Sequence, residues 1–498
     1  MLFILAIALF GLLVATSLRI HGLLGNELES FIYTKHWLDP TFIRNDWRLD
    51  QSPGPRVPFM AVLTPLLMFL RVEQAVIVGM LLGFALVSIA AALFFLRIRL
   101  SLIEGVVVVA AHLALGQSLA ADEWLFGPFE SKVVAYVCVL TALSTGSTML
   151  VGAGALLGFA TTMHPLVGGW STLFFAAAAW GTQVGTASQR WRAIAAWLLF
   201  ASPGIVATLI SFEGTATALG DGITPEWIYV RFRDAHHLDA VYFLSSMVKR
   251  SRVGLAILGA LFCFALPRFV NRGDPLLLIG RFFQAAMVPF VAGVVLSFVP
   301  GAELFLQLYP FRVADGLGIL LLLSMALALT KAHLQSRKSR IVFRLIVVAV
   351  GLAVAVTLPD PPRHGETPPP GFNEIARWVK AHTPPDEPVL VSPRMTFAGY
   401  WLERPVVVLF KFPPHRGRAV SEWYERIIDF CGGARPNQRS SDASREVHER
   451  FMSMSAQAYQ LLGTKYGARY LVRPERPDLP FAVAHTSAGW AVYHLDGS

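Results

Sequence analysis

Charge is scarce in this sequence. Asp, Glu, Lys and Arg together make up 15% of its 498 residues while 54% are apolar, against roughly 25% charged in soluble proteins. That scarcity excludes a disordered chain, a coiled coil and a soluble nucleic-acid binder. Cysteine is nearly missing as well. Cys138, Cys263 and Cys431 are too few and too scattered for a disulfide framework or a cysteine-rich zinc site. There is no Walker loop, dinucleotide fingerprint, HExxH pair or nucleophile elbow in a supporting context. What remains is the composition of an integral membrane protein.

A bilayer core about 30 Å thick takes roughly 20 apolar residues of helix. Eleven segments read as candidates, at about 2–18, 75–96, 102–120, 132–148, 150–163, 166–184, 193–211, 253–270, 275–298, 311–330 and 341–358. The 150–163 segment is short enough for a half-span. The first lacks a basic n-region and a small-residue cleavage site, so it reads as a retained helix rather than a signal peptide. With the N-terminus inside, Arg97 and Arg99, Arg190 and Arg192, Arg268 and Arg272, and Lys331 with Arg337, Lys338 and Arg340 share one side, as the positive-inside rule expects. The tail then lies outside the cytoplasm.

The expected architecture is an all-α polytopic membrane domain over 1–358, with a large first external loop over 19–74. Within that loop, 27–38 reads as helical and 58–70 as an amphipathic helix lying on the membrane, too short to span. A linker follows at 359–371, with six prolines in residues 359–370, extended and stiff. A soluble α/β domain over 372–498 completes the chain. Helices are expected near 372–382, 420–430 and 444–462, and strands near 388–392, 406–410, 469–473, 481–485 and 490–495. From 359 onward there are 17 basic against 15 acidic residues. Most of the net +9 therefore sits in the membrane part and reports topology and lipid headgroups.

The polar residues that stand out gather in the external loops. The first loop carries Glu27 and Glu29, then Asp39 and Asp46. An acid just beyond a membrane helix suits a general base that stays ionised beside an acceptor hydroxyl, although a glutamate near a helix N-terminus is also favoured by the helix dipole. Glu27 and Glu29 lie two apart, so one helix points them in separate directions and only one faces a given cavity. The Arg231-Phe232-Arg233-Asp234-Ala235-His236-His237 run could grip a phosphate through paired guanidinium donors, or rest on anionic headgroups. A metal reading of the adjacent histidines is weaker. His164-Pro165 breaks an apolar helix, which is tolerated where backbone lines a cavity or packs in protein. Glu130 and Lys132, with Asp122 and Glu123 before them, form either a cavity edge or a snorkelling interfacial cluster. Arg312, with Asp315 three residues on, is a second phosphate contact or a local ion pair.

Taken together, several stretches carry a resemblance. They are Asn26-Glu27, Leu38-Asp39-Pro40, Glu130-Ser131-Lys132 with Ala135-Tyr136, His164-Pro165 after Gly158-Phe159-Ala160, and Arg231-Phe232-Arg233 with His236-His237. Arg404-Pro405 and Glu422-Trp423-Tyr424 extend it into the tail. With the prolines Pro53, Pro55 and Pro58, the chain resembles the GT-C superfamily of membrane glycosyltransferases, through a group of bacterial multi-spanning proteins to which no reaction is assigned. The superfamily's usual Asp-Glu pair stands here as Asn26-Glu27.

The resemblance implies an inverting transferase of the bacterial inner membrane with a periplasmic active site and a polyprenyl-phosphate-linked sugar as donor. Glu27, or Glu29, would act on the acceptor hydroxyl. Arg231, Arg233, His236, His237 and Arg312 would hold the phosphate, with His164, Asp39, Asp46, Glu130 and Lys132 as further cavity residues. The acceptor, a glycan, lipid or protein, is left open. No cofactor is required, though Glu27, Glu29, Asp39 or Asp46 could supply oxygen ligands for Mg²⁺ or Mn²⁺. Two other classes stand beside this one. A transporter or flippase should show an internal repeat or polar breaks at mid-membrane, and no repeat is evident. A scaffold binding partners through its tail would not need Glu27 or the Arg/His loop.

Overall fold

The computed structural model describes the chain except for residues 21–25, 128, 212–218, 220–221, 272, 335, 337, 340, 344, 348, 350–367, 415–416, 477 and 496–498, and except for the side chains of 17–20 and 27. Most of the expected 341–358 span and 359–371 linker therefore lies outside the described residues, as does the Glu27 side chain.

The membrane-like part is a stack of helices: α1 (Leu2–Ile20), α2 (Glu27–Leu38), α3 (Val57–Phe69), α4 (Val72–Arg97), α5 (Leu102–Ala114), α6 (Ser131–Thr145), α7 (Leu150–Met163), α8 (Pro165–Gly181), α9 (Ala187–Ile210), α10 (Met247–Phe262), α11 (Pro275–Leu296) and α12 (Arg312–His333). Among the described residues, only α4, α9, α11 and α12 are both long and apolar enough to cross a membrane. Among the described residues, the eleven spans expected from sequence are thus corrected to four; the last of the eleven, 341–358, lies mostly outside them. The reason is interruption rather than polarity. Helix α5 stops at Ala114, where Gly116 and Gln117 take positive φ, short of the expected 120; α7 stops at Met163 before Pro165, where the 150–163 segment is expected to end, and α10 stops at Phe262, short of the expected 270. Helices of 13–17 residues reach only about 20–26 Å, short of a bilayer core. Helix α3 also differs from expectation. It buries Phe59, Met60, Leu63 and Leu67 but exposes Val62, Met68 and Phe69, so it is apolar around its circumference rather than two-faced.

Helices α7 and α9 cross closely. A Cβ at Gly154 would strike the carbonyl of Ala193, and one at Gly158 that of Trp197. Small residues four apart let the backbones touch, the usual way helices associate where burial in water gives no drive. The opposite face of α9 leaves Trp191, Leu198, Leu199, Leu209 and Ile210 exposed. The two ends of α12 define the two ends of the bundle. Arg312 starts it among the loops that carry the polar clusters, while Lys331 near its end reaches Arg99 O (2.8 Å) and Glu104 (2.9 Å).

The C-terminal unit is mixed α/β, as expected. Its four-stranded sheet has the order β1 (Val389–Leu390), β2 (Tyr470–Pro474), β4 (Trp490–His494), β3 (Ala482–Ser487), with β1 parallel to β2 and the rest antiparallel. Helices at Phe372–His382, Gly417–Asp429, Ser440–Met452 and Ala456–Tyr466 cover it. Two expectations are revised here. The 444–462 helix is two helices, broken at 453–455. The 406–410 strand is a single bridge, Val389 to Val406.

This unit is not a separate bead. Phe372, Ile375, Val379 and Val389 share one apolar core with Leu28, Phe31, Phe59 and Leu63 of α2 and α3. Phe232 of the 228–233 segment inserts among Phe410, Trp423 and Tyr424, its ring 4.9 Å from that of Tyr424.

One buried carboxylate sets the loop between α5 and α6. Asp315, fully buried in the first turn of α12, accepts Ser118 Oγ (2.6 Å) and the backbone N–H groups of Ala120 (2.7 Å), Ala121 (2.9 Å) and Glu123 (3.0 Å). The sequence reading of Asp315 as the ion-pair partner of Arg312 is therefore corrected: its lone pairs are taken by backbone nearly 200 residues away. Because four donors converge on it, Asp315→Asn sets an amide NH₂ against N–H groups. We expect a loss of about 2–3 kcal/mol, measured as a lowered melting midpoint of the detergent-solubilised protein, with Ser118→Ala costing less.

Candidate functional site

A chamber of about 460 Å³ opens where the first loop, the start of α6, the α7–α8 break, the 229–233 segment, the start of α12 and the C-terminal unit meet. Each wall has a local cause. Pro165 disfavours helical backbone at the residue before it, so His164 is extended (φ −148°) and stands at the N-terminus of α8, its Nδ1 3.3 Å from Val167 N. Glu130, also extended, sits at the N-terminus of α6 with Lys132 one step inside. Arg56 enters from a short turn that the prolines of 53–58 set up. Lys411 and Phe412 come from the C-terminal unit.

The walls are rich in cations. Arg56, Lys132, Arg233, Arg312 and Lys411 line the chamber against two carboxylates, Glu29 and Glu130. A third, Glu123, lies just behind and is 2% exposed. Its carboxylate stands 3.1 Å from Arg312 Nε and 3.3 Å from Lys132 Nζ. Burial alone would raise its pKa, but Lys132 and Arg312, with His237 and His164 beyond them, outweigh that and hold it at about 2. It is a fixed negative charge.

Lys132 also lies 3.6 Å above the Trp124 ring, and the Arg312 guanidinium 3.7 Å above the Tyr309 ring, so aromatic faces steady both. Tyr309 donates to Asp234 (3.0 Å) and is itself 3.0 Å from the Tyr229 hydroxyl. Burial pushes the Tyr229 hydroxyl up to about 12 and, with Arg312 beside it, the His164 imidazole down to about 3.

A neutral imidazole has one donor and one acceptor nitrogen. His164 faces a donor on each nitrogen, Val167 N–H at Nδ1 (3.3 Å) and Arg312 Nη1 at Nε2 (3.2 Å), and one neutral ring accepts from only one of them. A guanidinium only donates, so the hydrogen bond to Arg312 has Nε2 as its acceptor.

The structure brings together six of the residues singled out from sequence: Glu29, Glu130, Lys132, His164, Arg233 and Arg312 all line this chamber. Glu29 is held by Arg56 at 2.9 Å, with Arg48 3.6 Å away. Arg233 donates to Phe410 O (2.9 Å) and Lys411 O, and to Asp234 (2.8 Å), so it ties the C-terminal unit to the chamber. His237 stands one layer behind, Nδ1–H on Ala121 O; burial keeps it below the ordinary histidine range.

Four others lie elsewhere. Arg231 is packed among Asp239 (3.0 Å), Glu303 (3.0 Å) and Ser297 O (2.8 Å) at a different cavity. Residues two apart in a helical turn do not share a face, so Arg231 and Arg233 part company. His236 pairs with Ser440 Oγ. Asp39 is an exposed helix end bonded to Thr41, and Asp46 accepts Arg48 N, Leu49 N and Val406 N. Glu29, Asp39 and Asp46 are each held by different partners. Among the described residues no three His, Cys, Asp or Glu side chains gather as a metal-ligand set.

Sequence reasoning missed Arg56, Tyr229, Tyr309 and Lys411. The prolines around Arg56 were a signal; Lys411 had none.

Comparison with known proteins adds one finding. Residues 371–430 match the model of a domain of unknown function, DUF6798, a stretch that includes Lys411 and Phe412 of the chamber wall. No curated protein matches the chain.

The depressed pKa of Glu123 has a signed consequence. A carboxylate at about 2 when folded and 4.5 otherwise contributes stability that is present above about pH 4.5 and lost as pH falls toward 2. Between pH 6 and 3 the melting midpoint of the solubilised protein should fall more steeply for wild type than for Glu123→Gln, which has no carboxylate to titrate there.

Proposed function

We propose that the chamber is the active site of a membrane glycosyltransferase, which moves a sugar from a polyprenyl-phosphate donor to an acceptor hydroxyl. The observation that carries this reading is the combination within one cavity. Five cationic side chains face two carboxylates, and Phe59, Met163, Leu166 and Phe412 stand in the same walls. A phosphate bearing an isoprenoid chain has that amphiphilic character. Its charged head would lie against Arg312, with Lys132, Arg233 and Arg56 around it and His164 beside it, while its tail leaves along the apolar side toward lipid.

As the bond from the anomeric carbon to the phosphate oxygen breaks, negative charge grows on the departing phosphate. Fixed donors already aimed there stabilise that charge without reorganising. Glu123, ionised and immobile, keeps Arg312 and Lys132 in place. Attack from the side opposite the phosphate would invert the anomeric centre. We place the chamber on the periplasmic side of a bacterial inner membrane, with the N-terminus cytoplasmic. Support comes from Arg97, Arg99 and Lys331, which cluster at the far end of α12 from Arg312, as positively charged cytoplasmic connectors would.

The test is transfer of label from a panel of ¹⁴C-labelled undecaprenyl-phosphate hexoses and pentoses in membranes containing the protein. Arg312→Lys keeps the charge but loses the planar pair of donors, and should lower the transfer rate about 100-fold. Wild-type membranes that release no label from any donor would remove the transferase reading.

A further inference from the structure

A transfer to a hydroxyl needs a proton acceptor. Two described carboxylates, Glu29 and Glu130, line the chamber; Glu123 and Asp234 stand behind it, Asp234 tied to Arg233 and Tyr309. They are not equivalent. Glu29 has Arg56 at 2.9 Å and Arg48 at 3.6 Å on the same oxygen. Glu123 is 2% exposed and clamped between Arg312 and Lys132. Both are committed to neighbouring cations.

Glu130 differs in three respects. Its side chain is 20% exposed in the chamber wall. One oxygen has only a loose ion pair, 3.8 Å from Lys132 Nζ. The other, Oε1, is buried and has no hydrogen-bond partner among the described residues. An unpartnered buried carboxylate oxygen is costly to maintain; Glu123 Oε1 also lacks a hydrogen bond but has Lys132 Nζ at 3.3 Å, whereas the Glu130 ion pair is the looser one, on its other oxygen.

On the transferase reading, on which this step rests, we infer that Glu130, rather than a carboxylate of the first loop, takes the proton of the attacking acceptor hydroxyl. The hydroxyl O–H bond breaks and its proton passes to the Glu130 carboxylate. The freed electron pair forms the new bond to the anomeric carbon. The bond from that carbon to the phosphate oxygen breaks, and the electron pair leaves with the polyprenyl phosphate, beside Arg312 and His164. Lys132 stands between the two events, within reach of both Glu130 and Glu123.

The electrostatics fit this role. Burial raises the Glu130 pKa, Lys132 on its own helix lowers it, Glu123 from the preceding loop and Glu29 from α2 raise it, and Lys411 from the C-terminal unit lowers it; the balance leaves it above the ordinary glutamate range. A base of raised pKa accepts a proton more readily.

The experiment measures kcat, donor KM and pH dependence for wild type, Glu130→Gln, Glu130→Asp, Glu27→Gln and Asp39→Asn, using whichever labelled undecaprenyl-phosphate sugar the wild type turns over. Glu130→Gln should lose about 1,000-fold in kcat with donor KM changed by less than about threefold, since the phosphate contacts remain. Glu130→Asp should recover part of the rate and shift the acid limb of the pH profile, which a purely structural role would not do. Asp39→Asn, exposed and outside the chamber, should match wild type. Wild-type turnover beside an equally active Glu130→Gln overturns the assignment alone, as does a loss confined to Glu27→Gln. A wild type that transfers nothing from any donor overturns the transferase reading and the assignment with it.

Discussion

The Asp315 carboxylate carries no chemistry of its own, yet the chamber depends on it. By gathering three backbone N–H groups and a hydroxyl from residues 118–123, it fixes the loop that ends in Glu123. Glu123 in turn fixes Arg312 and Lys132, which face the cavity. The order is strict: a buried acid holds backbone, the backbone holds a second acid, and that acid holds two cations. Every member is desolvated, so each link is strong when complete and costly when broken. Such a chain keeps cations close together without a ligand present to neutralise them.

The carboxylates around the cavity show how one residue type takes different parts according to its neighbours. Asp315 meets only N–H and O–H donors and organises a loop. Glu123 meets two cations and becomes a permanent charge. Glu29 is tied to Arg56, and Glu130 keeps an oxygen unspoken for. The same sorting applies to the arginines. Arg231 and Arg233 come from one short helical turn, but the first is consumed by Asp239 and Glu303 while the second straps the C-terminal unit to the bundle.

Where the fold obeys local rules, the sequence was readable. Helix α2 and the Phe372–His382 helix follow from apolar spacing, and the break at His164 follows from Pro165. The polar residues of the cavity were also visible as a set, because charge is rare here and stands out. What failed was arithmetic that ignored interruption. Long apolar stretches counted as spans are cut short, as 102–120 is at Gly116-Gln117, and a hydropathy run does not register a turn. Pairings failed for a related reason. Arg312 and Asp315 are three apart in sequence and look like partners, yet each finds its true counterpart across about 190 residues. Nothing near Lys411 announces that it belongs beside Arg312, since only the docking of Phe232 among Phe410, Trp423 and Tyr424 brings it there.

That docking has a temporal meaning. The wall contributed by Lys411 and Phe412 is encoded after the described helices of the bundle, so the vessel is left gaping until the last quarter of the polypeptide has emerged and folded back. A half-made protein already embedded among lipids would hold most of the cluster but not the enclosure that excludes water from it. Completion of the tail thus works as a built-in sign-off on assembly.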